Sequence, residues 1–93
     1  GLPDIVAMKL AAITGRGTKK DFIDLFFLLK QYSLSEMFEF YNSKFQDASD
    51  MLVLKSLTYF EDAEEEENPR MLIPIDWKDV KPEINKAVRN YLI

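Results

Sequence analysis

Apolar residues recur along most of the chain at intervals of three and four positions, the spacing that places them on one side of an α-helix. In the opening stretch, four such residues are expected to form the buried side of a first helix: Ile5, Met8, Ala12 and Ile13. Gly15 suits the left-handed conformation that often ends a helix, so the first helix is expected to stop there.

Two capping boxes predict where the next two helices begin. Thr18 and Asp21 form one, and Ser33 and Glu36 form the other. In each box a hydroxyl and a carboxylate lie three residues apart, and each can bond to the backbone N–H of the other residue. The second helix is apolar around most of its circumference and is therefore expected to be central to the core.

The second half of the chain predicts two more helices. A fourth helix follows a cap at Asp47 or Ser49, and the acidic run 61–67 either extends it or frays into a linker, because like charges repel at close spacing. Residues 71–75 predict a short extended segment, and Asp76 caps a last helix.

This pattern predicts one all-α domain over residues 1–93, a compact bundle of four to five helices with one short extended segment near residues 71–75. Apolar residues make up 47% of the chain, enough for a core. Cysteine and histidine are absent, so catalysis here would have to use carboxylates and lysines. No apolar stretch approaches the length of a membrane helix, so we expect no membrane contact and a cytoplasmic location.

Charge is unevenly distributed around a net value of −4. Residues 1–32 carry five cations and three anions. Residues 33–68 carry two cations and ten anions, and residues 69–93 carry five cations and three anions. The middle of the chain would repel nucleic acid, so an anionic ligand is expected to bind the first or last third.

Charged residues cluster around the turn between the first two helices. Lys9 can face Asp21 or Asp24 across this hairpin, which would give a structural network of salt bridges. Alternatively, the start of the second helix with Arg16, Lys19 and Lys20 forms an anion site, because backbone N–H groups and the helix dipole favour phosphate there. Spacing alone leaves both interpretations open.

The same residues carry a family resemblance. Residues 9–16 have the form K-x-x-A-x-x-x-R, and residues 20–24 have the form K-D-x-x-D. They resemble the third and fourth motifs of the AbiEii/AbiGii-type nucleotidyltransferases, toxins of type IV toxin–antitoxin and abortive-infection systems. Residues 52–64 are also similar to the C-terminal helices of that family.

The resemblance implies transfer of a nucleotide from a nucleoside triphosphate to an acceptor, with RNA such as a tRNA acceptor end as the target. It implies that Lys9 contacts the triphosphate and that Arg16 and Lys20 are supporting cations. Asp21 would be a base or an orienting carboxylate, with Asp24 as its neighbour. Lys9, Asp21 and Asp24 are thus the candidate catalytic residues.

One part of the family pattern is missing. The first two motifs, a glycine-serine turn and a D-x-D pair that holds magnesium, are expected upstream of Lys9, and no D-x-D occurs in this chain. We therefore expect no metal ligands here, and Mg²⁺ only in a full-length protein. This chain would be its C-terminal part, inactive alone, with the N-terminal half as its partner. The alternative is a non-catalytic helical module whose acidic middle meets a basic protein.

Overall fold

The computed structural model describes residues 1–71 and 74–93. Within these residues the chain forms six helices: α1 (Leu2–Arg16), α2 (Lys19–Leu28), α3 (Leu34–Lys44), α4 (Asp50–Leu57), α5 (Glu61–Glu64) and α6 (Trp77–Leu92). Five have eight or more residues and α5 is a single turn, while the described part contains no strand. The predicted all-α bundle is confirmed. Of the extended segment predicted at 71–75, residues 72 and 73 lie outside the described residues.

Local sequence signals set the starts of the helices. Both predicted capping boxes form: the Asp21 N–H donates to Thr18 Oγ1 at 3.1 Å, and the Glu36 N–H donates to Ser33 Oγ at 3.1 Å. At the start of α4 the Leu52 N–H donates to the Ser49 hydroxyl at 3.2 Å. Helices α1 and α6 each pack against the same three helices, α2, α3 and α4.

Helix α1 buries a different face from the one predicted. The residues it contributes to the core are Val6, Ala7, Leu10 and Ile13. Ile5 and Met8 are 56% and 57% exposed, and Ala12 is also exposed. The predicted stripe was wrong for these three residues because α1 is apolar on two sides, and spacing alone does not say which side faces the bundle.

Helix α2 contributes Phe22, Ile23, Leu25 and Phe26 to the core but packs mainly against α1 and α6, so the prediction that it is the central helix was wrong, and the core includes an aromatic cluster. Phe22 is fully buried, with its ring centroid 5.0 Å from that of Phe60 and 6.1 Å from that of Trp77. The Phe60 and Trp77 rings meet edge to face at 6.0 Å. These contacts tie α2 to the segment before α5 and to the start of α6.

The acidic run does not extend α4, so that alternative was wrong; its first residues form the separate helix α5, residues 65–70 are irregular, and distant partners hold the run in place. Helix α4 ends at Leu57, and α5 begins at Glu61. The Glu64 carboxylate accepts hydrogen bonds from Trp77 Nε1 at 3.0 Å and from Lys81 Nζ at 2.6 Å, which lower its pKa. Partners distant in sequence hold the run in place despite its like charges.

The turn between α1 and α2 also differs from the prediction. Helix α1 continues through Gly15 to Arg16, and none of the described glycines has a positive φ. Gly17 is constrained by packing instead, because a Cβ added there would lie 2.7 Å from Cε2 and 2.8 Å from Cζ of Phe22. A Cβ at Gly15 would meet no atom within 4 Å.

Alanine substitutions at the two glycines are therefore expected to have opposite effects. Gly17→Ala should lower the free energy of unfolding by about 1 to 2 kcal/mol, since the buried Phe22 ring must shift. Gly15→Ala should raise it by about 0.5 to 1 kcal/mol, because alanine is favoured over glycine within a helix. Urea denaturation of the two variants checks both signs, and stabilisation by Gly17→Ala would contradict the packing at Phe22.

None of the helices in the described ranges is long and apolar enough to cross a lipid bilayer.

Candidate functional site

Helices α1 and α2, which are joined by a two-residue turn, bring together three of the predicted site residues. Lys9 Nζ donates to Asp21 Oδ1 at 2.8 Å and to Asp24 Oδ2 at 2.9 Å. The side chains of Lys9, Asp21 and Asp24 are 20%, 18% and 28% exposed. The ammonium group is thus held between two carboxylates at a seam that solvent still reaches.

The capping box at the start of α2 also orients this site. The Thr18 N–H donates to Asp21 Oδ2 at 3.3 Å, while Asp21 Oδ1 accepts from Lys9. The two carboxylate oxygens are therefore fixed by different partners. The sequence predicted the bond from the Thr18 N–H as part of the capping box, but it did not indicate that the bond orients the carboxylate that pairs with Lys9.

Burial and hydrogen bonding shift the pKa values of Asp21 and Lys9 in opposite directions. Burial by itself would raise the pKa of Asp21, but hydrogen bonds from Lys9 and Thr18 outweigh it and hold the pKa below its ordinary value of 3.8. Burial would likewise lower the pKa of Lys9, but its bonds to Asp21 and Asp24 raise it above 10.5. Asp21 and Lys9 are therefore both charged at neutral pH.

These pKa shifts predict how stability depends on pH. The contribution of Asp21 is complete above pH 3.8 and is lost as the pH falls below that value, since its folded pKa is lowered. The contribution of Lys9 is complete below pH 10.5 and is lost above it, since its folded pKa is raised. We expect a melting temperature that is nearly constant between about pH 5 and pH 9 and falls on either side.

Asp21→Asn tests the acidic side of this curve. The variant should lose stability less steeply below about pH 4 than the parent chain, because one carboxylate with a lowered pKa is gone. Glu64, whose pKa is also lowered, contributes to the loss of stability at low pH in both proteins. The exposed Asp47→Asn is the matched control, and an equal slope in the parent and in Asp21→Asn would contradict the assignment.

Lys20 lies at the edge of the site, and Arg16 lies apart from it. Lys20 is 65% exposed and donates to Asp24 Oδ2 at 3.2 Å. Arg16 is exposed at the end of α1, beside a pocket of about 210 Å³ that Lys55 and Tyr59 also line. It lies seven residues beyond Lys9, roughly 10 Å along the helix axis. No carboxylate in the described ranges forms an ion pair with it.

Lys19 lies outside this group. Its side chain is only 7% exposed, and its ammonium donates to the Glu66 carbonyl oxygen at 2.6 Å and to Asn68 Oδ1 at 3.1 Å. The ammonium also lies 5.5 Å from the centroid of the Trp77 ring. A phosphate contact by Lys19, as predicted, would require these bonds to break, so Lys19 is not part of the site around Lys9.

The described residues do not fit a magnesium site. No group of three or more Asp, Glu, His or Cys side chains in the described ranges is arranged to hold a metal ion. Asp21 and Asp24, the two carboxylates of the site, already share the Lys9 ammonium, so a cation occupies the position between them. Their arrangement is that of an ion-pair network.

The amino-acid sequence of the chain is similar to those of known proteins. The chain is 38% identical over 94 residues to aq_aa25, an uncharacterized protein of Aquifex aeolicus (strain VF5). The match covers 99% of this chain and 45% of that protein, so the chain spans less than half the length of this curated relative. No solved structure matches significantly. The family model described as "Nucleotidyl transferase AbiEii toxin, Type IV TA system" matches residues 1–91. The chain therefore belongs to the AbiEii nucleotidyl transferase toxin family.

Proposed function

We propose that this chain is the C-terminal helical part of a longer nucleotidyltransferase, and that it supplies one side of a site completed by an N-terminal half. The observation that carries the proposal is the Lys9 ammonium held between Asp21 and Asp24 at a partly exposed seam. Membership of the AbiEii family supports the reaction class. The greater length of the Aquifex relative supports a missing half.

Lys9 is proposed to contact the triphosphate. An ammonium has three N–H donors, and Asp21 and Asp24 accept two of them. The third donor is available for a phosphate oxygen while the two aspartates hold the ammonium in position. A charged donor held in advance costs little reorganisation when negative charge develops on the substrate.

Asp21 is proposed as an orienting carboxylate and not as the general base. A general base works best when its pKa lies near the operating pH, whereas the pKa of Asp21 is held below its ordinary value. Asp21 and Asp24 thus act through Lys9. Lys20 beside Asp24, and Arg16 farther along α1, add positive charge that can neutralise phosphate groups of the nucleotide or of the acceptor.

The proposed reaction is attack of an acceptor oxygen, such as a hydroxyl of RNA, on the α-phosphorus of a nucleoside triphosphate. The new bond joins that oxygen to the α-phosphorus, and the bond from the α-phosphorus to the β-phosphate bridging oxygen breaks. Pyrophosphate leaves, and the hydroxyl proton passes to a base outside this chain. Magnesium would be held by the N-terminal half. A nucleoside triphosphate substrate implies the cytoplasm, where the full protein would act as the toxin of a type IV system.

Labelled nucleotides test this proposal. The full-length protein is incubated with RNA and a nucleoside triphosphate carrying ³²P at either the α or the γ position. Nucleotide transfer predicts labelled RNA from the α label and none from the γ label, which would instead report phosphate transfer. The 93-residue chain alone is expected to transfer neither label.

Two outcomes would contradict the proposal. Transfer by the 93-residue chain alone would show that the site is already complete. Absence of transfer by the full-length protein with every nucleoside triphosphate and with total cellular RNA would favour the non-catalytic helical module, in which the charges around Lys9 are purely structural.

A further inference from the structure

Helix α1 has a second apolar face that nothing in the described chain covers. Leu2, Ile5, Met8 and Ala12 recur at intervals of three, three and four residues, so they lie on one side of the helix. All four are exposed, and the exposed fractions of Leu2, Ile5 and Met8 are 41%, 56% and 57%. We call these four residues the outer face of α1.

The outer face is unusual for a surface helix. The opposite side of α1 is buried in the core through Val6, Leu10 and Ile13, so the helix is apolar on two sides. Helix α6, in contrast, exposes Lys78 and Arg89 on its outer side. A helix that is apolar all round is typical of a position buried on both sides, and contiguous exposed apolar residues mark interaction surfaces.

The outer face is also continuous with the candidate site. Ile5 lies four residues before Lys9 and Ala12 three residues after it, one helical turn in each direction along the same side. A protein surface packed over Ile5, Met8 and Ala12 would therefore lie beside the Lys9 ammonium. Exclusion of water there would strengthen the attraction between Lys9 and a bound phosphate.

We infer that the outer face of α1 is the surface on which the N-terminal half of the full-length protein packs, so that the half bearing the metal ligands lies against Lys9. This inference rests on the proposed function. Two observations favour this occupant: the Aquifex relative is more than twice the length of the matched region, and the outer face borders the residues proposed to complete a shared site. A segment entering α1 at Leu2 would also begin next to this face.

The inference is tested on the full-length protein with a protease site introduced immediately before residue 1. After cleavage, the two halves are expected to elute together on size exclusion, and their dissociation constant is measured by titration calorimetry. Ile5→Glu with Met8→Glu should weaken the association by at least about 100-fold, because two charges would enter an apolar interface.

Helix α4 provides a matched control. Met51 and Leu52 are 60% and 54% exposed, close to the values for Ile5 and Met8. Met51→Glu with Leu52→Glu should leave the dissociation constant within about twofold of the parent value, because these residues lie outside the proposed interface. Thermal unfolding of the two variants of the 93-residue chain should match the parent, since all four residues are exposed.

Two results would overturn the inference. In the first, the halves of the Ile5→Glu, Met8→Glu protein associate as tightly as those of the parent. In the second, the uncleaved 93-residue chain forms a dimer that the same double substitution dissociates, which would make a second copy the occupant. The assay needs no nucleotide, so a full-length protein that never transfers a nucleotide would contradict the proposed function while leaving the interface result intact.

Discussion

Lys9→Met in the full-length protein is expected to lower the rate of nucleotide transfer by at least about 100-fold, the loss typical when one preorganised charged donor is removed from a site. The methionine side chain keeps most of the apolar length of lysine but cannot donate to a phosphate. Initial rates with an α-labelled nucleoside triphosphate measure the effect. Lys44→Met, which removes a cation paired at 3.7 Å with Asp4, is the matched control and should keep the parent rate.

Stability must be separated from activity in this variant, because Lys9 is bound to two carboxylates. A change in melting temperature cannot by itself distinguish a ligand-binding lysine from a structural one. With Lys9 Nζ at 2.8 and 2.9 Å from their carboxylates, Asp21 and Asp24 lose a partner in Lys9→Met whether or not Lys9 binds substrate. We expect a loss of about 1 to 3 kcal/mol in the free energy of unfolding.

A double substitution separates the two roles. Lys9→Met with Asp21→Asn removes both charges of one pair, while Asp24 keeps Lys20 as a partner at 3.2 Å. This protein should recover most of the lost stability, because no partly buried carboxylate is left without a cation. Its transfer rate should remain as low as that of Lys9→Met. Recovery of both properties together would mean that Lys9 is a structural residue only.

Lys19→Met is expected to lower the free energy of unfolding by about 2 to 3 kcal/mol, since it removes two charge-assisted hydrogen bonds and a cation–π contact. The bonds run to the Glu66 carbonyl oxygen at 2.6 Å and to Asn68 Oδ1 at 3.1 Å. Together with the 2.7 Å bond from the Lys19 N–H to Glu66 Oε1, they fix the acidic run against the start of α2.

The neighbouring lysine is a matched control for this prediction. Lys20 is 65% exposed and contacts Asp24 at 3.2 Å, so Lys20→Met should cost less than about 0.5 kcal/mol. Urea denaturation of both variants measures the difference. Equal stabilities for Lys19→Met and Lys20→Met would contradict the conclusion that the buried hydrogen bonds of Lys19 stabilise the fold.

Features that depend on neighbours close in sequence could be predicted well. The Thr18 and Ser33 capping boxes, and the facing of Lys9 toward Asp21 and Asp24, all involve residues within fifteen positions of each other. A capping box involves residues three positions apart, and a short turn keeps the second helix beside the first, so these residues have few other partners within reach.

Features that depend on distant partners could not be predicted. Lys19 is buried because Glu66 and Asn68, 47 and 49 residues away, meet its ammonium. From the sequence, Lys19 and Lys20 are two adjacent lysines, and both are predicted to bind a phosphate. Only the packing of the acidic run against α2 distinguishes them.

The sequence by itself therefore determined that this protein is helical and where most of its helices begin, and it indicated that Lys9 can face Asp21 or Asp24 across the α1–α2 hairpin. The tertiary structure alone decided which apolar side of α1 is buried, what the acidic run contacts, and which cations remain exposed. The physical reason is that helix caps and hairpin pairs are local interactions with few alternatives. Burial depends on every element that packs against a residue, and that arrangement is a property of the whole chain.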